Sequence, residues 1–307
     1  MKTSQSGIKR WTQKYGIGTL FYLPFFILFV LFTVIPVFIG IGMSFTNYDM
    51  LMKPEFIGLD NYKNLFIFDE NFAKAFQNTF IIGGIAGPVG YLASFLFAWV
   101  INNMKCKKLF TIIFYAPSIA GSGMMVIWDY LFSGDRYGFI NNVLINIGII
   151  QSPIIWNADT SYIVPINIFI LVWGSMGTGF LVFMAGLQNL DPQLSESGRI
   201  DGIRNSLQEL WYVTLPQVKP QLLYGAINTI VVSLGVFPTF GGFPSPNYVA
   251  HTFSAHIQDY GFMRFEMGYA SAVSMVLFFL SFGLGQVVIR LLSERDAKPS
   301  RKRSVHG

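Results

Sequence analysis

The sequence predicts an all-α membrane protein with six transmembrane helices and both termini cytoplasmic. Three observations predict it. The chain is apolar: 52% of its 307 residues are hydrophobic, only 12% are charged, and its mean hydropathy is +0.49. A soluble domain carries about 25% charged residues. The apolar residues fall in six long runs that contain no Asp, Glu, Lys, Arg or His. The cationic residues collect on one side of those runs.

The hydrocarbon core of a bilayer needs about 20 apolar residues in a helix, and only helices or closed barrels satisfy their backbone in lipid. The runs are Ile17–Met43, Ala75–Ile101, Leu109–Trp128, Ile163–Leu187, Leu222–Phe243 and Gly268–Ile289. They are continuous rather than alternating, which favours helices over barrel strands. The first run is too long for a signal-peptide core and no small-x-small cleavage site follows it, so it reads as a span that stays. The second run carries Gly83-x-x-x-Gly87 and the sixth Ser281-x-x-x-Gly285; pairs of small residues at that spacing suit close helix packing.

With six spans, 16 of the 21 Lys and Arg lie on the side that holds both termini and 5 on the other. The positive-inside rule makes the richer side cytoplasmic. The organisation is a cytoplasmic tail at 1–16, a transmembrane domain at 17–290 and a second cytoplasmic tail at 291–307. The outer loops, 46–74, 129–162 and 244–267, are long enough to expect structure of their own. Trp128, Tyr130, Trp156 and Tyr162 fall near outer boundaries, as an interfacial aromatic belt would, or as a rim meeting a partner or a sugar face.

Several functions are excluded. The single cysteine, Cys106, rules out an intrachain disulfide and a four-cysteine metal site. His251 and His256 read as ordinary loop histidines, with a metal role as the alternative. The low charge content offers no basic groove for nucleic acid. There is no Gly-Lys dipeptide, hence no phosphate loop of the Walker type. Spans without ionisable groups lack the usual elements of a proton path, which points to energy supplied from outside the bilayer and to a neutral polar solute. The span residues Asn78, Thr79, Ser118, Ser122, Asn167, Asn228, Thr229 and Ser233 suit sugar hydroxyls, and Trp173 suits a sugar face. Asn228 and Ser233 are the best candidates for a substrate path, with Asn78 and Trp173 beside them; the alternative for each is hydrogen bonding between helices.

Between the fourth and fifth runs lies ESGRIDGIRNSLQELWYVTLPQVKP, Glu196–Pro220, with charges at Glu196, Arg199, Asp201, Arg204, Glu209 and Lys219. Burying these in lipid would cost about 15–20 kcal/mol on the insertion scale, so the segment lies outside the bilayer. It reads as two short helices. Asp191-Pro192 is a helix start, Asp201-Gly202 a break, and Asn205 with Gln208 a capping box. Leu207, Leu210 and Trp211 are spaced to share one face, and Pro216 and Pro220 end the element and open the next span. An apolar face on a short exposed helix suits a partner's groove.

The pattern Glu196-x-x-x-x-Asp201-Gly202, followed by Leu215-Pro216 and Pro220, resembles the EAA loop of ABC importer permeases, in particular the carbohydrate-uptake permeases related to the maltose and glycerol-phosphate importers. Ser197-Gly198 stands where that motif has Ala-Ala, and Ile203 stands where an alanine follows Asp-Gly. The resemblance implies the type I ABC importer permease architecture. It also implies that the 191–220 loop is a coupling helix seated on a separate ATPase, with Glu196, Asp201 and Gly202 as coupling residues and Leu207, Leu210, Trp211 and Pro216 beside them. The implied partners are two ABC ATPase subunits, a second homologous permease in a heterodimer, an extracytoplasmic solute-binding protein, a carbohydrate substrate and the bilayer of the cell membrane. No cofactor is bound by this chain; ATP is used by the partner subunit. The chain reads as a permease, not an enzyme. The competing reading is a stand-alone secondary transporter or channel for a neutral polar solute.

Overall fold

The computed structural model describes residues 21–120, 123–238, 240–241 and 245–293. The N-terminal tail, residues 17–20 of the first apolar run, and residues 294–307 of the C-terminal tail lie outside the described residues. Among the described residues the chain is all-helical; an isolated antiparallel bridge between Thr46 and Phe56 is the one strand-like pairing. Among the described residues four helices are long and apolar enough to cross a membrane: Phe21–Met43, Glu70–Asn102, Thr160–Gln188 and Met267–Arg290.

Helix α1 (Phe21–Met43) contains a π turn at Val30–Val34. It leans on the last helix where Gly40 faces Met275, and otherwise exposes its aromatic side chains, including Phe21, Phe25, Phe32 and Phe38. A short α2 (Asp60–Lys63) continues through a π turn to Phe68. Helix α3 (Glu70–Asn102) starts where the Asp69 carboxylate accepts from the backbone N–H of Asn71 at 2.9 Å and of Phe72 at 3.0 Å. Its buried residues Phe72, Ala75, Thr79, Ile82, Ala86, Gly90, Ser94, Ala98 and Ile101 recur every three or four positions, so one face of a helix apolar on most sides is turned to the core. The small residues on that face let neighbours approach closely: a Cβ at Gly83 would run into the Ser233 carbonyl oxygen, and one at Gly87 would lie 3.0 Å from the Ser233 side chain. Gly83-x-x-x-Gly87 is therefore a packing motif. Gly285 of the other small pair has open space around it.

The third apolar run appears as α4 (Lys107–Ala120) and α5 (Gly123–Leu131), with residues 121–122 outside the description. Ser118 and Ser122 fall among residues whose side chains are not described. Helix α6 (Phe139–Asn146) belongs to an outer loop that is ordered around Asn141. The Asn141 amide donates to the carbonyls of Ser133, Asp135 and Ile154 and accepts from the Ile154 N–H and Trp156 Nε1. Trp128, expected at the interfacial belt, is instead buried and packs edge-on to Trp173 at 5.2 Å, because α7 and the Phe240 segment close over it.

The fourth run forms α7 (Thr160–Ser175) and α8 (Thr178–Gln188), separated by a turn at Met176 and Gly177. After the hairpin helices α9 (Pro192–Ile200) and α10 (Ser206–Glu209, prolonged through Leu210–Thr214 and Leu215–Gln217) comes α11 (Lys219–Leu234). The expected fifth span was to continue to Phe243; the helix stops at Leu234. Its 16 residues rise about 24 Å, short of a bilayer core of about 30 Å. Gly235 and Pro238 follow and disfavour helix. The non-helical backbone that continues is satisfied by side chains. Ser254 Oγ donates to the Gly235 carbonyl and Thr252 Oγ1 to the Val236 carbonyl, both at 2.7 Å. Asn167 exchanges two hydrogen bonds with the Phe240 backbone, at 2.9 and 3.2 Å. Irregular backbone at membrane depth is tolerated only where protein buries it in this way. Helices α12 (Phe253–Gln258, prolonged through Asp259–Met263) and α13 (Met267–Ser293) complete the described chain.

The packing gives the molecule two ends. Around the C-terminal part of α3, an apolar cluster joins Phe95, Ala98 and Ile101 to Phe180, Phe183, Met184, Leu187, Leu210 and Val218, and so seats the α9–α10 hairpin. Around its N-terminal part, α3 meets the segment 246–263 and α13.

Candidate functional site

The first candidate is the 191–220 hairpin. Asp191 caps α9 by accepting from Gln193 N–H at 3.0 Å, with Pro192 in the first turn. Gly202 ends α9 with φ +105°, and a Cβ there would meet no atom within 4 Å. Glycine is thus required by backbone conformation rather than by space. Asn205 caps α10 by accepting from Gln208 N–H at 2.8 Å, while the Gln208 side chain accepts from Arg204 N–H at 2.9 Å. The expected box therefore forms, with its return bond one residue earlier than the cap. Gln217 Oε1 accepts from Asp191 N–H at 3.2 Å and closes the hairpin at its base. Exposed Arg199 and half-buried Glu209 add an ion pair at 3.7 Å.

The departures from the motif, Gly198 and Ile203, explain each other. A Cβ on Gly198 would lie 2.9 Å from Ile203 Cδ1 and 3.1 Å from Val213 Cγ2. The larger Ile203 occupies the volume that an alanine at 198 would claim.

Leu207, Leu210 and Trp211 do not share a face. Leu210 is 8% exposed and points into the apolar cluster, while Leu207 and Trp211 are each 68% exposed. The π turn at Leu210–Thr214 widens the helix there and turns Leu210, Thr214 and Val218 inward together. The outward apolar surface consists of Ile200, Leu207, Trp211 and Tyr212. Tyr212 was not anticipated, because the 3.6-residue period does not foresee the π turn that contains it; Ile200, the last residue of α9, was not anticipated either. Pro216 does not end the element; the helix runs on to Gln217, and Pro220 sits in the first turn of α11. Glu196, Asp201, Gly202 and Pro216 are all exposed. A groove of about 570 Å³ runs between the hairpin helices, past Leu194, Asp201, Gly202, Gln208, Tyr212 and Pro216.

The second candidate is a cavity of about 340 Å³ between α3, α7, α8 and α11. Its wall includes Gly83, Gly87, Tyr91, Ser94, Ser175, Tyr224, Asn228, Thr229 and Ser233, and no Asp, Glu, Lys, Arg or His. Several of its hydroxyls already donate elsewhere: Ser94 to the Gly90 carbonyl at 2.7 Å, Ser175 to Val172 at 2.7 Å, Ser233 to Ile230 at 3.2 Å and Tyr91 to Leu222 at 3.1 Å. Each keeps acceptor capacity. Asn228 and Tyr224, one helical turn apart on α11, are exposed and present an amide and a phenol. Asn228 and Ser233, the sequence candidates for a substrate path, both line this one cavity. Asn78 lies outside it and donates to the carbonyls of Tyr248 at 2.9 Å and His251 at 3.0 Å. Trp173 also lies outside it, against Trp128. Tyr224, Tyr91, Ser94 and Ser175 join the site; the i, i+4 spacing of Tyr224 and Asn228 was the one available signal.

His251 and His256 hydrogen-bond to each other, Nε2 to Nδ1, at 3.0 Å, and among the described residues no group of His, Cys, Asp or Glu has the arrangement of a metal site.

No family model matches the chain. The chain is 32% identical over 275 residues to the probable ABC transporter permease protein YesP of Bacillus subtilis, covering 85% of each. It is 30% identical over 286 residues to the lactose transport system permease protein LacF of Rhizobium radiobacter, covering 90% of this chain and 93% of that one. It is 28% identical over 306 residues to the multiple sugar-binding transport system permease protein MsmF of Streptococcus mutans, covering 96% and 98%. Its fold matches a chain in the crystal structure of a bacterial ABC transporter involved in the import of the acidic polysaccharide alginate, with a TM-score of 0.77 at 21% identity over 95% of this chain and 99% of that one. It also matches a chain of the alginate transporter in complex with its alginate pentasaccharide-bound periplasmic protein, with a TM-score of 0.76 at 22% identity over 94% and 98%.

Proposed function

The chain belongs to the ABC transporter permeases, with sugar-transport permeases among its relatives, and from that premise we propose that it forms the translocation path for a neutral sugar or oligosaccharide. The cavity carries this reading. It offers an amide, several hydroxyls and the ring of Tyr224, and no charged side chain in its wall. Such a surface matches the hydroxyls and apolar faces of a sugar, whereas an anionic solute would call for a cationic partner. The chain lies in the cell membrane as six spans with cytoplasmic tails at 1–16 and 291–307, and the 17–290 region is the permease domain. Four long apolar helices and the placement of Lys and Arg support that topology.

A separate ATPase pair supplies the energy through the 191–220 hairpin, and this chain holds neither ATP nor another cofactor. The apolar surface of Ile200, Leu207, Trp211 and Tyr212 is the docking face. The hairpin shares its apolar cluster with α3 and α8, which also wall the cavity, so a push on the hairpin reaches the cavity through packed side chains. A second, homologous permease completes the path, and a solute-binding protein delivers the sugar from outside.

The test is uptake by proteoliposomes holding the full transporter. Neutral and uronate oligosaccharides of equal length are compared. The expected result is ATP-dependent uptake of the neutral series alone, with Asn228→Ala raising KM about tenfold, the loss of roughly one hydrogen bond to the sugar, while the ATPase still co-purifies. Preferential uptake of the uronates contradicts the neutral-substrate reading.

A further inference from the structure

At the end of α3 opposite the hairpin lies a buried polar network that neither the cavity nor the hairpin uses. Asp69 Oδ2 accepts from the hydroxyls of Tyr260 at 2.9 Å and Tyr269 at 2.7 Å, and meets His256 Nε2 at 3.2 Å. His256 Nδ1 faces His251 Nε2 at 3.0 Å. The two rings are 0% and 1% exposed, respectively. One carboxylate therefore ties the start of α3 to α12, to the π turn after it and to α13. The same α12 reaches the cavity: Thr252 and Ser254 hold the carbonyls of Val236 and Gly235 where α11 ends, and Val236 lines the cavity.

The hydrogen-bond count in the histidine pair is limited. With both rings neutral, His256 donates to Asp69 and accepts from His251. With one added proton, one hydrogen still lies between the two facing nitrogens and the Asp69 carboxylate balances the charge. With both rings protonated, two N–H groups point at each other at 3.0 Å and the bond is lost.

We propose that Asp69, His256 and His251 form a proton-counting latch that positions the cavity end of α11, closed with up to one added proton on the histidine pair and released by the second. The charged and titratable groups facing it are Glu70 and Lys74 at the start of α3, Tyr248 before His251, Asp259 and Tyr260 in the π turn, Arg264 and Glu266 after it, and Tyr269 on α13. Arg264 is taken up by Asp259 at 2.7 Å. Burial, and then the neighbouring His256, push His251 down to about 4. Burial alone would raise Asp69, but hydrogen bonds from His256 and Tyr269 outweigh it and hold the carboxyl well below its ordinary range. The sign follows from the lowered His251. Its contribution to the closed state is complete above its ordinary value of 6.5 and is lost as pH falls toward about 4. Asp69 stays ionised throughout that window, so His251 carries the change.

The test is hydrogen exchange of the full-length protein in nanodiscs, comparing amides of 253–258 with amides of 94–101 after correction for intrinsic rates, from pH 7.5 to 4.5. The latch predicts that exchange in 253–258 rises about tenfold relative to the reference as pH falls, with a midpoint between about 4 and 6.5, and that His251→Gln, which can still hydrogen-bond but cannot titrate, stays flat. A flat wild-type profile overturns the proposal, as does an unchanged acid rise in His251→Gln. The wild-type profile decides alone if the variant does not accumulate. Neither readout depends on the solute carried, so the latch and the sugar reading fail separately.

Discussion

At its C-terminal end α3 buries Phe95, Ala98 and Ile101 against Leu210 and Val218 of the hairpin, side chain on side chain with no ion pair. At its N-terminal end Phe72 packs against Phe253, Tyr269 and Val273, and directional hydrogen bonds are added to that packing. Asp69 binds two tyrosines and a histidine, Asn78 binds two carbonyls, and Thr79 Oγ1 accepts from Phe253 N–H at 2.9 Å. Apolar contact is non-directional, while a hydrogen bond weakens steeply as its angle opens. Apolar packing at the hairpin end tolerates sliding, whereas the hydrogen bonds at the opposite end favour one arrangement. The proposed coupling through the hairpin and the proposed latch rest on this difference.

Breaking the polar end should have the largest effect. Asp69→Ala leaves His256, the buried Tyr269 hydroxyl and the half-buried Tyr260 hydroxyl without their acceptor and removes the α3 cap, for a loss of about 3–5 kcal/mol. Thermal unfolding of the purified chain checks it, and a loss below about 1 kcal/mol would mean that the polar end is held mainly by apolar packing. Between the ends, Gly83→Ala sets a methyl against the Ser233 carbonyl and should force α3 from α11 at about 1–3 kcal/mol. The same unfolding measurement reads it, and uptake should fall with it, since both residues wall the cavity.

Smaller effects sharpen the apolar end. The double variant Gly198→Ala with Ile203→Ala should be more stable than the sum of its singles by about 0.5–1 kcal/mol, because the two positions share one volume; a double-mutant cycle measures this, and strict additivity would separate them. Smallest is Arg199→Ala. Its pair with Glu209 is long and exposed on the Arg199 side, worth below about 1 kcal/mol and less at high salt, as an unfolding series in rising salt would show.

The same contrast explains what the sequence disclosed. The hairpin's capping was legible because it is local: Asp191 with Gln193, Asn205 with Gln208, and Gly202 at its own turn. Its facing was not, since the π turn at Leu210–Thr214 breaks the period on which the expectation for Leu207, Leu210 and Trp211 rested. The apolar runs located the long helices, but α11 stops at Leu234 because Asn167, Thr252 and Ser254, far away in sequence, satisfy the chain beyond it. In the cavity, Asn228 and Ser233 were found from polarity alone; Asn78 has the same polarity and is spent on the outer segment. The polar end was hidden most completely, because Asp69 meets Tyr260 and Tyr269 across separations of 191 and 200 residues.

The most direct test of the account is Gly202→Asp in the assembled transporter, with membrane insertion verified. At φ +105° a side chain costs about 1–2 kcal/mol of backbone strain and distorts the turn between the hairpin helices without touching the cavity. The account predicts that the ATPase no longer co-purifies, or that ATP-dependent uptake falls about tenfold or more, while the α3–α11 core stays folded. Wild-type uptake with no ATPase bound would contradict it and make this chain a transporter that works alone.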